Sequence, residues 1–486
     1  MQLGQLLPQS AEADRTVEIS GLAYDNRRVG PGALFFCVRG FTRDGHEFAQ
    51  DAVGRGAAAL VVDHPLSALE APQVLVDDVR AAMPSAAVAF YGDPTATLRV
   101  AGVTGTNGKT TTAYLLRALL EEDRVQTGLL GTVTSIVGGA EREVQRTTPE
   151  AIDLQQTFRE MLDGGDLACV MEVSSHALAL ARVDGIRFEA AIFTNLTQDH
   201  LDFHPTMEDY FAAKRSLFTS HAPAHAVINV DDHYGRRLAS ELEDPITYAL
   251  DDQAATFRAH DVETDLTGSR FAVVAPDGER EVSSPLRGRF NVYNVLAAVA
   301  ASHAMGVALD DAIATIERAG QVPGRFETIE EGQPFAVVVD YAHTPDSLEN
   351  VLTAARRLTG GRLHVVFGAG GDRDRGKRPL MGEIAARLAD RVIVTSDNPR
   401  SEDPDAIIAE ILAGIDRRVE HDPDRRAAIH DAIDTADPSD VVVIAGKGHE
   451  QGQEFEAGRK LPFDDATVAR EALRARPEAR VPSTGT

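Results

Sequence analysis

The chain has 486 residues, with 75 acidic against 48 basic, a formal net charge of −27 and an apolar fraction of 43%. That length predicts two to four domains with ordinary globular cores, and the acidity excludes the positive footprint that a nucleic-acid surface needs. No run approaches the roughly 18 continuous apolar residues of a membrane span, and Met1–Gln9 has no charged-then-apolar leader.

A cytoplasmic protein acting on small molecules is therefore expected, with no nucleic acid and no membrane span. Cys37 and Cys169 lie in apolar runs and read as buried thiols of a reducing compartment. Five lysines occur, at 109, 214, 377, 447 and 460; every other basic residue is arginine.

The first region covers 1–97. LFFCVRG and AAALVVD read as strands with a helical HEFAQDAVGRGA between them, and YGDPTATLR carries the breakers of a linker.

The central region covers 98–321. LRVAGV, Leu98 to Val103, suits a buried strand; TGTNGKTTT follows, and TTAYLLRALLEED has apolar residues at helical spacing. Strand, Gly-rich loop and helix are the setting of a phosphate-binding loop. Gly105 and Gly108 let the backbone approach an anion, and the helix-start amides and dipole attract it. Lys109 would reach the β- and γ-phosphates, and the Thr110 hydroxyl would bind Mg²⁺. The strict pattern wants glycine at 103, where this chain has Val103, with Gly102 one residue early. A strand-to-helix turn with a surface lysine is the alternative to a nucleoside triphosphate site.

DLACVMEVSSHAL, FEAAIFTNLTQDHLDFH and AHAVINVDD are apolar strands ending in polar residues. Open parallel sheets bind ligands at the carboxyl ends of their strands. Glu172 and His200 stand at two such ends and suit a divalent metal beside Thr110; each alone also reads as a satisfied polar group. Lys214, in MEDYFAAKRSLF, reads from spacing as an exposed helix lysine.

The third region covers 322–486. Three strand–helix units and the strand-loop DVVVIAGKGHE predict a doubly wound sheet. GAGGDRDRGKRP supplies Arg373, Arg375, Lys377 and Arg378, which suit carboxylates or phosphates or a solvated loop. DNPR, Asp397 to Arg400, puts an anion and a guanidinium close together, as an amino-acid ligand would want, although a turn capped by Asp397 is equally natural. GKGHE, Gly446 to Glu450, offers another carboxylate. The tail after about Arg476 is polar and is expected to be loose.

TGTNGKTTT, EVSSHAL, TNLTQDHLDFH, the AAK of a helix, PGRFE, DYAHTPD, GGDRDRGKRPLM, DNPR and AGKGHE occur in that order. Together they resemble the Mur ligases, in particular their E type, from about Ala23 to Glu450. The loop alone would be shared with folylpolyglutamate synthases; GGDRDRGKRPLM with DNPR is more specific. The resemblance implies an α/β chain of three domains: an N-terminal UDP-binding domain, a central ATPase domain with a parallel sheet and a C-terminal Rossmann-like domain. It implies an ATP-dependent amide ligase of cytoplasmic peptidoglycan assembly. The carboxylate of UDP-N-acetylmuramoyl-L-alanyl-D-glutamate would become an acyl phosphate, and the amine of meso-2,6-diaminopimelate would displace the phosphate. A monomer is expected, with ATP and Mg²⁺ as cofactors. The alternatives are a ligase of L-lysine or of a folylpolyglutamate-type acceptor, and an ATPase switch with no amino-acid requirement.

By the same resemblance, Gly105, Thr106, Asn107, Gly108, Lys109, Thr110 and Thr111 would hold ATP, with Asn291 and Asn294 near the adenine and Arg325, Asp340 and His343 closing from the third domain. Lys109, Glu172, His200 and Lys214 would be catalytic. Thr110, Glu172 and His200 would bind Mg²⁺, and Lys214 would be carbamylated to bind a second ion, against its bland reading above. Tyr24, Asn26, Phe41, Thr42, Arg43, Thr147, Thr148, Ser174 and Arg182 would hold the UDP-muramoyl substrate. Two departures fall there: Asp25-Asn26-Arg27 where D-S-R is frequent, and Leu180 where some members have Gln. Arg373, Asp397, Asn398, Pro399, Arg400, Gly446 and Glu450 would hold diaminopimelate, with Arg373 and Arg400 on the distal carboxylate that lysine lacks.

Overall fold

The computed structural model describes residues 1–41 and 43–476; Thr42 and the tail at 477–486 lie outside the described residues. Three large sheets and a two-stranded ribbon, Gly452–Glu454 with Lys460–Pro462, organise the described residues. The first has four parallel strands, Gly21–Ala23, Ala33–Phe36, Ala57–Val62 and Gln73–Leu75, in that order. ALFF and AAALVV are almost wholly buried, as parallel strands covered on both faces must be. Helix Val79–Tyr91 packs its Val79, Met83, Ala86 and Ala87 into that core.

The second sheet has eleven strands. Its centre is parallel: Ile246–Ala249, His225–Asn229, Phe188–Phe193, Arg99–Thr104, Ala168–Glu172 and Thr127–Leu130 lie side by side. Its edges depart from the parallel expectation. Ser135–Val137 and Ala140–Arg142 form an antiparallel hairpin on one side, and Phe257–Thr264, Ser269–Ala275 and Gly278–Ser284 a meander on the other. Tight turns explain this: Gly138 and Gly139 both take positive φ, which lets a strand reverse without a crossover helix. Helices Lys109–Glu122 and Arg289–Ala304 bury one face of this sheet. The second is apolar on nearly all sides because it lies inside the core.

The third sheet has six strands, ordered Glu327–Ile329, Ala336–Asp340, Val441–Ala445, Leu363–Phe367, Arg391–Thr395 and Glu420–Asp422, parallel except the first. Pro345–Arg357, Lys377–Leu388 and Pro404–Leu412 cover one face, and Arg425–Asp434 with Asp465–Ala475 the other. It is the doubly wound arrangement that the strand–helix alternation predicts. The carboxyl ends of the second and third sheets meet: Asn107 Nδ2 donates to Asp346, in the first turn of helix Pro345–Arg357, at 2.6 Å, and Gln198 Nε2 to Asp374 at 3.3 Å.

Candidate active site

The loop from Gly105 to Gly108 joins the central strand Arg99–Thr104 to helix Lys109–Glu122. Both glycines have positive φ, at 150° and 87°. A Cβ on Gly105 would lie 1.9 Å from Thr194 Oγ1, and one on Gly108 2.4 Å from Asn294 Oδ1. Position 103 is a buried strand residue, so Val103 costs the loop nothing. Lys109 Nζ donates to the carbonyls of Gly105 and Thr106, each at 2.9 Å, so the loop wraps its own lysine. Asn294 packs on the loop itself, and Asn291 accepts from it at 2.9 Å.

The loop opens on a cavity of about 780 Å³. Its wall includes residues 106–111, Glu172, His200, Lys214, Asn294, Arg325, Asp340 and His343. Glu172 accepts from the Thr132 amide at 2.8 Å and the Thr132 hydroxyl at 3.1 Å, which fixes its carboxylate. His200 has φ 55°, a strained conformation for a non-glycine residue and one that clusters at functional sites. Burial pushes its imidazole down to about 3, against the pull of Asp199, so it is neutral and keeps a lone pair. Lys214 is buried, not exposed: it donates to the Gly105 carbonyl at 2.8 Å and lies over the Tyr210 ring at 4.8 Å. Burial and then Lys109 hold its amine well below the ordinary value. From the third domain, Arg325 Nη2 donates to Thr110 Oγ1 at 2.9 Å. Burial pushes Asp340 up to about 6 against the pull of Arg325, and His343 down to about 4, with Lys377 adding to the fall.

The DNPR and GKGHE loops lie together, with a different wiring from the expected one. Asp397 does not pair with Arg400. Asp397 is buried, and Lys447 and Arg425 outweigh that burial and hold its carboxyl below the usual range. Arg400, at φ 51°, donates to Glu454 at 3.0 Å and to the Gly371 carbonyl at 2.7 Å. Asn398 Nδ2 donates to Glu450 at 2.8 Å, and Lys447 Nζ to both Asn398 Oδ1 and Glu450. Gly446, φ 118°, lets the chain pass Asp397, whose Oδ2 would lie 2.5 Å from an added Cβ. The Pro399 carbonyl lies against Gly371. Arg373 lines the cavity. Arg375 and Arg378 are occupied, Arg378 fully buried between Glu402 and Glu410 and Arg375 held by Glu410.

Thr147, Thr148, Ser174, Arg182 and Phe41 line the same cavity. Thr148 Oγ1 donates to the Glu172 carbonyl at 2.9 Å, and Arg182 pairs with Glu150 at 3.0 Å. Phe41 is 78% exposed and meets Phe203 edge-on. Tyr24, Asn26 and Arg43 stand outside the cavity wall. Tyr24 donates to Asp153, Asn26 to Asp51 at 2.7 Å, and Arg43 lies near the Phe48 ring. Thr42 lies outside the described residues.

Family models match three stretches in order: the Mur ligase family, catalytic domain, at residues 18–91; the Mur ligase middle domain at 103–302; and the Mur ligase glutamate ligase domain at 324–448. A protein of Geobacillus kaustophilus (strain HTA426) named UDP-N-acetylmuramoyl-L-alanyl-D-glutamate--2,6-diaminopimelate ligase is 47% identical over 470 residues, which are 94% of this chain and 96% of that protein. The chain belongs to the Mur ligase family. A Streptomyces coelicolor (strain ATCC BAA-471 / A3(2) / M145) protein of the same name is 47% identical over 97% of this Mur ligase and 95% of its own length. A solved structure of that ligase is 34% identical, with a TM-score of 0.71, over 98% of this chain and 99% of that one.

Mur ligases are ATP-dependent enzymes, and the donor set beside the phosphate loop fits a divalent cation. Thr110 offers a hydroxyl, Glu172 an oriented carboxylate and His200 a neutral imidazole, all on one cavity. Among the described residues the compact His/Asp/Glu trio is a different one, His46, Asp63 and His64. A cation at the phosphate loop would therefore draw further ligands from phosphate oxygens and water, as Mg²⁺ commonly does.

Several residues of this Mur ligase site were not singled out for it in the sequence. Thr132 orients Glu172, Glu454 holds Arg400, and Asp199 lies between His200, His343 and Lys377. Arg425 and Asp465 form a pair with both side chains fully buried behind the DNPR loop. Only Asp199 gave a signal, as a carboxylate at a strand end next to His200.

Proposed function

We propose that this Mur ligase joins meso-2,6-diaminopimelate to UDP-N-acetylmuramoyl-L-alanyl-D-glutamate in the cytoplasm, as a monomer, with ATP and Mg²⁺. The names of the 47% identical relatives support this reading. The observation that carries it is one cavity lined by the phosphate loop, by Thr147, Thr148, Ser174 and Arg182, and by Arg373 of the third domain. The UDP-linked substrate would enter from residues 1–97, ATP would sit on 98–321 and the amino acid on 322–486.

A carboxylate oxygen of the dipeptide attacks the γ-phosphorus of ATP, and the bond to the β,γ-bridging oxygen breaks with its electron pair leaving on ADP. The amine nitrogen of diaminopimelate then attacks the acyl carbon. The carbon–oxygen bond to phosphate breaks, inorganic phosphate leaves, and it takes the proton that nitrogen loses. Lys109 and the loop amides neutralise the transferring group. A bound Mg²⁺ would be held by Thr110, Glu172 and His200, a second by carbamylated Lys214, and these ions would neutralise phosphate charge. Burial and the neighbouring Lys109 favour the neutral form of Lys214, which is the form that would attack carbon dioxide. Asn291 and Asn294 back the nucleotide, and Arg325, Asp340 and His343 close over it. Tyr24, Asn26, Phe41, Thr42 and Arg43 serve the UDP-muramoyl end. Asp397, Asn398, Pro399, Arg400, Gly446 and Glu450 receive diaminopimelate, with Arg373 and Arg400 on its distal carboxylate.

Phosphate release with ATP, Mg²⁺ and the UDP-dipeptide tests the reading, comparing diaminopimelate, L-lysine and no amino acid. Turnover with diaminopimelate alone is expected. Turnover with lysine would remove the specificity argument, and equal turnover without any amino acid would favour an ATPase switch.

A further inference from the structure

Of the four cations in the segment Gly368–Pro379, which runs into helix Lys377–Leu388, three are accounted for. Glu402 and Glu410 occupy Arg378 and Arg375, and Arg373 lines the cavity while donating to the Asp372 carbonyl at 2.9 Å. Lys377 differs from all of them. Its side chain is 5% exposed, and its nearest acid is Asp199 Oδ1, at 3.8 Å across the boundary between the second and third sheets. That distance is too long for a hydrogen bond. Its stem is buried while the ammonium itself keeps a little exposure and has no acceptor at hydrogen-bond distance among the described residues, so its N–H groups are open to an acceptor from outside the chain.

Its surroundings say which acceptor fits. Asp199 adjoins His200, and His343 Nε2 lies 3.8 Å from its Oδ2. The Asp199 charge also reaches Lys109 and Lys214. Asp199 and His343 line the cavity that holds the phosphate loop, and Lys377 stands next to that wall, 3.8 Å from Asp199. Charge balance points the same way. The reaction gathers a nucleoside triphosphate and a carboxylate, while carbamylation would turn Lys214 from a cation into an anion. The second domain then retains Lys109 alone of its lysines, and the third domain has one spare ammonium facing the gap.

We propose that Lys377 is the cation that the third domain brings to the transferring phosphoryl group, donating to its oxygens as the acyl phosphate forms; this rests on the ligase reading above. Asp199 keeps the ammonium aimed at the gap, and its distance leaves the N–H groups free. Because the cation comes from the amino-acid domain, ATP is activated only when that domain is seated, which ties phosphoryl transfer to readiness of the acceptor site.

The test compares Lys377→Met, Lys377→Gln and Lys377→Arg in the full chain, with Arg375→Met as a control in the same segment. Steady-state kcat and KM are measured, and the acyl phosphate formed from ATP and the UDP-dipeptide is trapped with hydroxylamine. Met and Gln should each lower kcat and trapped acyl phosphate together by about 10²-fold, the usual loss for one preorganised donor. KM for the amino acid should move less than about threefold, Arg should recover part of the rate, and Arg375→Met should stay near wild type. Two neutral variants guard against one failing to fold, and ADP affinity checks each. Neutral variants with near wild-type kcat, or a loss confined to amino-acid KM, would overturn the proposal. Absence of trapped acyl phosphate in the wild type would instead strike the ligase reading.

Discussion

Arg325 of the third domain donates to Thr110 of the phosphate loop at 2.9 Å, although 215 positions separate them. Its guanidinium also lies 4.4 Å from the Tyr341 ring centroid and pulls against the burial of Asp340. A single side chain thus joins the glycine-rich loop of the second domain to the third domain. Arg325→Ala should lower kcat by about 10²-fold, with ADP affinity changed far less. Calorimetric titration of ADP beside steady-state kinetics checks it, and an equal loss in both would mean plain nucleotide binding.

Lys214→Ala should lower kcat by at least about 10²-fold, and a small carboxylate such as acetate should restore part of it by standing in for the carbamate. An intact-mass increment corresponding to carbon dioxide on the wild type, absent from the variant, is the companion measurement. Activity of the variant that equals wild type without added carboxylate would sink the carbamate.

The phosphate loop was legible because its chemistry is written in consecutive residues between a strand and a helix. Spacing alone reads Lys214 as an exposed helix lysine, yet the pattern around it places it inside. Tyr210, Lys214, Leu217 and Phe218 fall at i, i+4, i+7 and i+8, the buried face of helix Met207–Thr219. The lysine's charge masked a periodicity that placed it inside. Glu454 on Arg400 and Asp465 on Arg425 had no local signal, because each pair is made by chain segments 54 and 40 positions apart. Asp397 and Arg400 are near in sequence but do not pair, since Arg400, at positive φ, donates to Glu454 instead.

Arg400→Lys should raise KM for diaminopimelate by roughly 10²-fold, since lysine lacks the planar fork that grips a carboxylate. KM for ATP should hold, and turnover with L-lysine should not rise to match. In the structure Glu454 occupies the guanidinium, so Glu454→Gln should free it and lower KM for diaminopimelate. An unchanged diaminopimelate KM in Arg400→Lys would remove the residue from the site.

Glu402 reports on the basic loop through pH. The Arg378 hydrogen bond, against modest burial, holds its carboxyl at about 2, below its ordinary 4.5. A depressed carboxyl stabilises the fold above the unfolded value and loses that contribution as pH falls towards the folded one. Between about pH 5 and about pH 3, wild type should therefore lose more stability than Glu402→Gln. Denaturant midpoints across that range measure it, and parallel curves would refute the link.

Arg425 and Asp465 are each fully buried, joined at 2.6 and 2.8 Å, and Arg425 also donates to the Ala445 carbonyl at 2.9 Å. Ala445 ends the strand that launches Gly446 to Glu450, so the pair anchors the start of that loop, the proposed seat of diaminopimelate. Asp465→Asn leaves a buried guanidinium without its counter-charge, which should cost about 3–5 kcal/mol. The double change Arg425→Met with Asp465→Leu should recover much of that stability, because a buried ion pair adds little net stability over apolar residues of similar size. It should not recover affinity for diaminopimelate, because the loops then lack their anchor. Denaturant unfolding and amino-acid KM on the same preparations separate the two effects. Recovery of both together would mean that the pair only fills space.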